Sequence, residues 1–326
     1  MRIGAIAVAC ALVASPLAVD AQQGPKLPKI GFLAPATGIY IGSSAAVYEA
    51  FQRELRELGY VEGRNVILEY RSAPDQSRLG EPAAELVRLN VDVIVTAGVA
   101  NFAAQASTAT IPIVFAASSD PVEARLVDSL ARPGGNLTGI SSLAYTLVPK
   151  RLELLKEAAP KVSRVAVLAN PAHPGEQLEW KATQDAAQAL GVTLHRFAVR
   201  TGPEVDQAFD AIVKTGINAI LVFPDSFTLT HRARIADFAA TRRLPSVFGW
   251  KEYAEAGGLI SYGPNLDALW RRIAVFVDRI LKGAKPGSLP VEQPSTFELV
   301  INLKTARTLG LTLPPSLLLR ADRVIE

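Results

Sequence analysis

The chain has 326 residues, 49% of them hydrophobic, with 34 basic against 31 acidic side chains and a formal net charge of +3. So small a surplus, scattered along the chain, leaves no electrostatic footprint for nucleic acid, and a single cysteine rules out an intramolecular disulfide framework. The length suffices for one large domain or two of medium size.

Residues 1–21 carry the marks of an export signal. Met1 and Arg2 supply the positive end, and residues 3–13 form an apolar run shorter than the roughly 20 residues of a membrane helix. Val19-Asp20-Ala21 is a small-x-small cleavage site ahead of Gln22. Cys10 sits inside the apolar run, too early for a lipid-anchor site, and leaves with the signal. Arg2 and Asp20 cancel, so the mature chain keeps its charge but has no thiol.

Beyond the signal, strands and helices alternate. Apolar runs at 29–34, 66–70, 91–96 and 113–116 read as strands. Between them Val47, Phe51, Leu55 and Leu58 share one helical face, and Leu79, Ala83 and Leu86 share another. A further helix is predicted over 122–130. A second series follows, with strands at 164–169, 192–198, 219–223 and 246–248 and helices at 178–190, 205–214 and 235–241. The tail adds a strand at 258–262, a helix at 269–282, a strand at 296–301 and a helix at 303–309.

The second series repeats the first. KIGFLAPA at 29–36 corresponds to RVAVLANP at 164–171, DVIVTAG at 92–98 to NAILVFP at 218–224, and IPIVF at 111–115 to LPSVF at 244–248. Three matches in the same order predict an α/β fold of two doubly wound, Rossmann-like lobes with a cleft between them. The leftover units predict several chain crossings at a hinge. The expected lobes are 28–141 with 250–286, and 142–249 with 287–326.

In open α/β sheets ligands collect beyond the carboxyl ends of strands. The loops at those ends are therefore the candidate binding segments. They hold Thr37 and Tyr40, then Gly98, Val99, Ala100 and Asn101, then Ser118, Ser119 and Asp120. Their counterparts in the second series are Asn170, Asp225 with Ser226, and Trp250. Two roles fit Asp225 and Asp120: a cap for the helix that follows, or a ligand contact. Backbone N–H groups at 98–101 and 118–120 suit a carboxylate. Tyr40, Phe102, Trp250 and Tyr262 are the aromatic candidates for covering an apolar ligand group. His173, in the Asn170 loop, is within reach of the cleft. No nucleophile elbow, Walker loop, dinucleotide fingerprint or zinc-protease motif occurs. No catalytic residue, cofactor or metal is expected.

Several stretches carry a resemblance. LGYVEGRNV from residue 58, ARPGGNLTG from 131, RLELLKE from 151, GGLISYGPN from 257 and FELVINLKTA from 297 are the most specific. The mature chain resembles the bacterial ABC-transporter substrate-binding proteins of the TrpX-like group, with a type I periplasmic-binding fold. Many relatives begin with a twin-arginine leader; this chain has only Arg2, so Sec export to the periplasm is expected. The resemblance implies a monomer that captures a small solute and delivers it to an inner-membrane ABC permease. Some relatives bind aromatic amino acids, and an amino acid is the expected ligand. The resemblance also places Asp225 where relatives hold an aspartate for the ligand's amino group. The alternative is an exported sensing module that reports its ligand to a membrane receptor.

Overall fold

The two apolar series fold into two copies of one sheet. The computed structural model describes residues 26–35, 45–73 and 76–326; residues 1–21, where an export signal is expected, lie outside them. The first copy runs β1 (Lys29–Pro35), α1 (Ala45–Glu57), β2 (Ile67–Ala73), α2 (Gly80–Arg88), β3 (Val93–Ala97), α3 (Ala100–Ser107), β4 (Ile113–Ala117), β5 (Leu137–Ser141). Helix α4 (Val148–Ala158) leads into the second. That copy runs β6 (Arg164–Ala169), α5 (Glu176–Leu190), β7 (Thr193–Ala198), α6 (Gly202–Lys214), β8 (Ala219–Val222), α7 (Ser226–Thr230), α8 (Arg232–Thr241), β9 (Ser246–Phe248), α9 (Lys251–Glu255), β10 (Ile260–Gly263). The tail supplies α10 (Leu266–Leu281), β11 (Glu298–Asn302), α11 (Leu303–Thr308), α12 (Pro315–Leu319) and β12 (Arg323–Ile325).

The first sheet has the order β2-β1-β3-β4-β5, and the second repeats it as β7-β6-β8-β9-β10 before adding β11 and β12 at its edge. All pairings are parallel except β10 with β11. Register repeats too: Ile30 lies opposite Val93 as Val165 lies opposite Ala219. In each lobe the order reverses beside the first strand, the place where open sheets leave a crevice.

Alternation along the strands decides which helices each face receives. Ile30, Phe32 and Ala34 pack with Phe51 of α1 and Trp270 of α10, whereas Leu33 packs with Leu86 and Ala104 on the opposite face. The first of these clusters continues into the second lobe through Ala166, Leu168, Ile220 and Phe248. A single apolar core therefore spans both lobes on one side.

The chain passes between the lobes at three places. It leaves β5 at Ser141 for α4, leaves β10 at Gly263 for α10, and leaves the first lobe again before β11. Before that last passage it runs alongside β5, with Glu292 N–H on the Gly139 carbonyl (3.0 Å) and Ser141 N–H on the Glu292 carbonyl (2.9 Å). Two expected boundaries therefore move. The segment up to Gly263 belongs to the second sheet, because β10 is the fifth strand of the repeat and the partner in order of β5. Residues near 292 lie with the first sheet.

The helix predicted over 122–130 is a series of turns. Asp120 Oδ1 accepts from Val122 N–H at 2.9 Å, and Arg125 then adopts a left-handed conformation with φ of 56°, which ends any helix. Among the described residues no helix is long and apolar enough to cross a membrane.

Candidate functional site

The carboxyl ends of β3 and β4 face those of β6, β8 and β9 across the cleft. The space between them measures about 510 Å³, part of it continuous with solvent. Its polar lining groups are Ser118, Ser142, His173, Asp225 and Ser226. Its large apolar side chains are Trp250, Leu266, Leu269 and Trp270. Such a division suits a small molecule with a charged head and an apolar body.

Asp225 caps the helix that follows and also borders the cleft. It is 2% exposed and caps α7, its Oδ1 accepting from Phe227 N–H at 2.9 Å. Asn170 Nδ2 donates to the same oxygen at 3.0 Å. Both bonds fall on Oδ1, while the residue also borders the cleft. A carboxylate held this way keeps its second oxygen for a cation, and a buried carboxylate gains most from an ionic partner. Asn170 is thus an orienting residue, since its own Oδ1 accepts from Ala172 N–H. Ser226 adds a hydroxyl on the cleft wall that has no hydrogen-bond partner among the described residues.

The lobes touch at Ser118. His173 Nδ1 accepts from Gly175 N–H at 3.0 Å, so that nitrogen carries a lone pair and Nε2 the proton. Nε2 then donates to Ser118 Oγ at 2.5 Å across the cleft, and the serine hydroxyl points on toward the Pro224 carbonyl at 3.5 Å. This tautomer separates the pair from a hydrolase nucleophile and base, because the nitrogen that faces the serine already holds its proton. Burial pushes the His173 pKa below the usual histidine range, and the Asp225 carboxylate opposes that shift.

Beneath the second-lobe wall lies a group of buried charges. Arg151 is 1% exposed, and its Nε donates to the Tyr262 carbonyl at 2.8 Å, while Nη1 and Nη2 have no partner among the described residues. Burial lowers its pKa to about 10. Glu179, equally buried, has its carboxyl pushed well up by burial, with Arg151 pulling the other way. Glu176 is also raised by burial and is held by Arg196 at 2.5 Å. No cluster of three or more metal-ligating side chains occurs among the described residues.

The remaining expected residues divide. Gly98 lines the cleft, and a Cβ built on it would lie 3.6 Å from Ser226 Oγ. Asn101 is buried, its Nδ2 donating to the Ala116 carbonyl at 3.2 Å, and the N–H groups of Asn101 and Phe102 turn back to Gly98 and Val99. Val99 and Ala100 pack into the first-lobe core. Ser119 is buried, and its carbonyl accepts from Ser141 Oγ at 2.6 Å. Asp120 caps its turn outside the cleft lining. Phe102 packs with the core, and Tyr262 lies against Phe297. Thr37 and Tyr40 lie outside the described residues. Sequence reasoning missed Ser142, Leu266, Leu269 and Trp270. The one signal for the last three is their place on the helix that follows the strand ending Gly263-Pro264-Asn265.

Gly175 lets the lobes approach. Its φ of −86° suits any residue, but an added Cβ would stand 3.0 Å from Ser119 Cα and 2.9 Å from His173 Cε1. Overpacking of this kind costs about 1–3 kcal/mol, and part of it falls on the closed arrangement alone. Gly175→Ala is expected to weaken ligand binding about tenfold while the ligand-free protein melts near the wild-type temperature. Calorimetric titration checks this, and wild-type affinity would show that the contact does not limit closure.

Comparison with known proteins agrees with this architecture. Residues 39–325 match the family described as ABC transporter substrate binding protein. A tyrosine-binding protein of Clostridioides difficile (strain R20291) is 27% identical over 265 residues, covering 81% of this chain and 76% of that one. The structure of an ABC domain in complex with L-Trp from Streptococcus pneumonia is 28% identical, with a TM-score of 0.81 over 92% of this chain and 100% of the other. A ligand-free, open substrate-binding protein with adhesive properties from Clostridium difficile is 25% identical over 92% and 99% of the two chains. Its TM-score is lower, at 0.64, in keeping with the lobe-to-lobe contacts seen here. A cleft at the switch points of two repeated sheets, three chain crossings and a match over nearly the whole sequence converge: the chain belongs to the ABC transporter substrate binding protein family.

Proposed function

We propose that the protein is the solute-capturing component of an ABC importer, exported to the periplasm, and that its ligand is an amino acid with an aromatic side chain. The observation that carries this reading is the split character of the cleft. Asp225 and the unsatisfied Ser226 hydroxyl meet a zwitterionic head, and Trp250, Leu266, Leu269 and Trp270 meet a ring. The tyrosine-binding relative and the L-Trp complex support the same class. Ligand contacts to both lobes favour the closed population, and an inner-membrane permease reads that closed surface.

A thermal-shift series tests the ligand class. L-tryptophan and L-tyrosine are expected to raise the melting temperature. Saturation at a hundred times Kd corresponds to about 2.7 kcal/mol. Tryptamine, which keeps the amine but lacks the carboxylate, and L-leucine, which lacks the ring, are expected to shift it less. A shift from sugars or polyols alone would sink the amino-acid reading.

A further inference from the structure

We propose that His173 is a positioning residue for ligand capture, its neutral ring bolting one lobe to the other, so that protonation of the ring opens the cleft. This rests on the reading that the ligand is held between the lobes.

The geometry assigns opposite duties to the two ring nitrogens. Nδ1 must accept, because Gly175 N–H points at it from 3.0 Å. Nε2 must donate if Ser118 is to keep its hydroxyl proton for the Pro224 carbonyl. A protonated ring is a donor at both nitrogens, so its Nδ1–H would confront the Gly175 N–H head-on. The ring cannot turn away, because it is 6% exposed and Gly175 stands against it.

Three elements bring charged or titratable groups to the ring. Asp225, from the loop between β8 and α7, favours the imidazolium. Glu179, on α5, has Oε1 3.8 Å from Nδ1, with Arg151 of α4 acting on it in turn. Because burial holds the Glu179 carboxyl up, it offers the ring less than a full negative charge. Ser118 comes from the first lobe and carries no charge. Burial is the largest influence and favours the neutral ring. When the lobes part, Ser118 withdraws, water reaches the ring, and it returns toward the ordinary value of about 6.5.

The sign follows from linkage. The closed state has the lower histidine pKa, so protons bind the open state better. Closure is complete above the open-state pKa and is lost as pH falls through it. A ligand ammonium at Asp225 sharpens this, since it neutralises a carboxylate that favours the imidazolium. Ligand and proton therefore oppose each other, each lowering the other's affinity by the same factor.

The test is calorimetric titration of L-tryptophan and L-tyrosine from about pH 8 to about pH 5, the range in which histidine titrates. Wild type is expected to lose about tenfold in affinity over that span, the change that one fully linked proton gives per pH unit. His173→Gln, whose amide N–H replaces that of Nε2 but does not titrate, is expected to give a flat profile. His173→Asn, which likewise does not titrate, is expected to flatten it as well and covers a poorly folded His173→Gln. His195→Gln, on β7 at the far edge of the second lobe's repeated strands, is expected to keep the wild-type slope. A flat wild-type profile, or a slope that survives in whichever of His173→Gln and His173→Asn folds, overturns the proposal. If neither amino acid binds at any pH, the ligand class is wrong and the bolt is read without ligand. Small-angle scattering is then expected to show the wild-type radius of gyration rising as pH falls and that of His173→Gln constant. A wild-type radius independent of pH overturns it.

Discussion

Asp225→Asn is expected to bind its ligand at least about thirtyfold more weakly than wild type while melting within a few degrees of it. Truncating one member of a buried, hydrogen-bonded charge pair costs about 2–5 kcal/mol of binding, and 2 kcal/mol is about thirtyfold. Asparagine retains the side-chain oxygen that accepts from Phe227 N–H and Asn170 Nδ2, so the cap on α7 survives. Only the charge is removed, and the substitution therefore separates the cap from the proposed ligand contact. Asp225→Ala removes both and is expected to lose a further ~1 kcal/mol of stability through the missing cap. Calorimetry with the amino acid found by thermal shift measures the first effect, and unfolding curves measure the second. An Asn variant that binds like wild type would remove Asp225 from the ligand's reach and leave it as a cap alone.

The largest loss of stability is expected from Trp270→Ala. The indole is 1% exposed and stacks on Phe32 with ring centroids 5.6 Å apart, in the core that α10 and α1 share with the first sheet. Deleting a buried tryptophan costs about 3–5 kcal/mol. For lobes of this size that is a fall of roughly 6–20 °C in melting temperature. Because the same ring lines the cleft, binding should suffer with it. Trp270→Phe keeps most of the packing and is expected to recover much of the stability while changing the preference among aromatic ligands. A Trp270→Ala variant that melts with wild type would mean that the core collapses around the gap.

Much of this architecture is legible in the sequence because each strand is a short apolar run that stops at small or polar residues. The echo of 29–36 in 164–171 is enough to foresee two sheets of one topology. The loops bearing Ser118, Asn170, Asp225 and Trp250 are visible for the same reason. The apolar part of the cleft lining is not. Leu266, Leu269 and Trp270 lie on a helix whose pattern reads as ordinary core, and part of it is core. The pattern cannot say that the first turn of this helix also borders the cleft, since that depends on where the chain crosses between lobes. His173 poses a related problem, because its serine partner belongs to the other lobe, 55 residues away. The segment 122–130 shows local propensity overruled: its residues favour a helix, but the Arg125 carbonyl accepts from Gln105 and Asp128 N–H donates to the Pro133 carbonyl.

The three crossings lie side by side and are stitched together. Asn265 Nδ2 donates to Glu298 Oε1 at 2.6 Å, Arg272 grips Glu292 with two bonds of 2.6 Å each, and Glu292 is bridged to Ile140. One strap would leave a lobe free to swing, twist and slide; three joined straps suppress twisting and sliding and leave rotation about a single axis. Opening and closing are then nearly one coordinate, and every closure returns the outer rims of the lobes to the same relative position. In the proposed importer role, a membrane partner that inspects those rims would receive a yes-or-no signal, largely independent of which side chain occupies the cleft. One such partner would then serve a binding protein whose pocket drifts from one ligand to another.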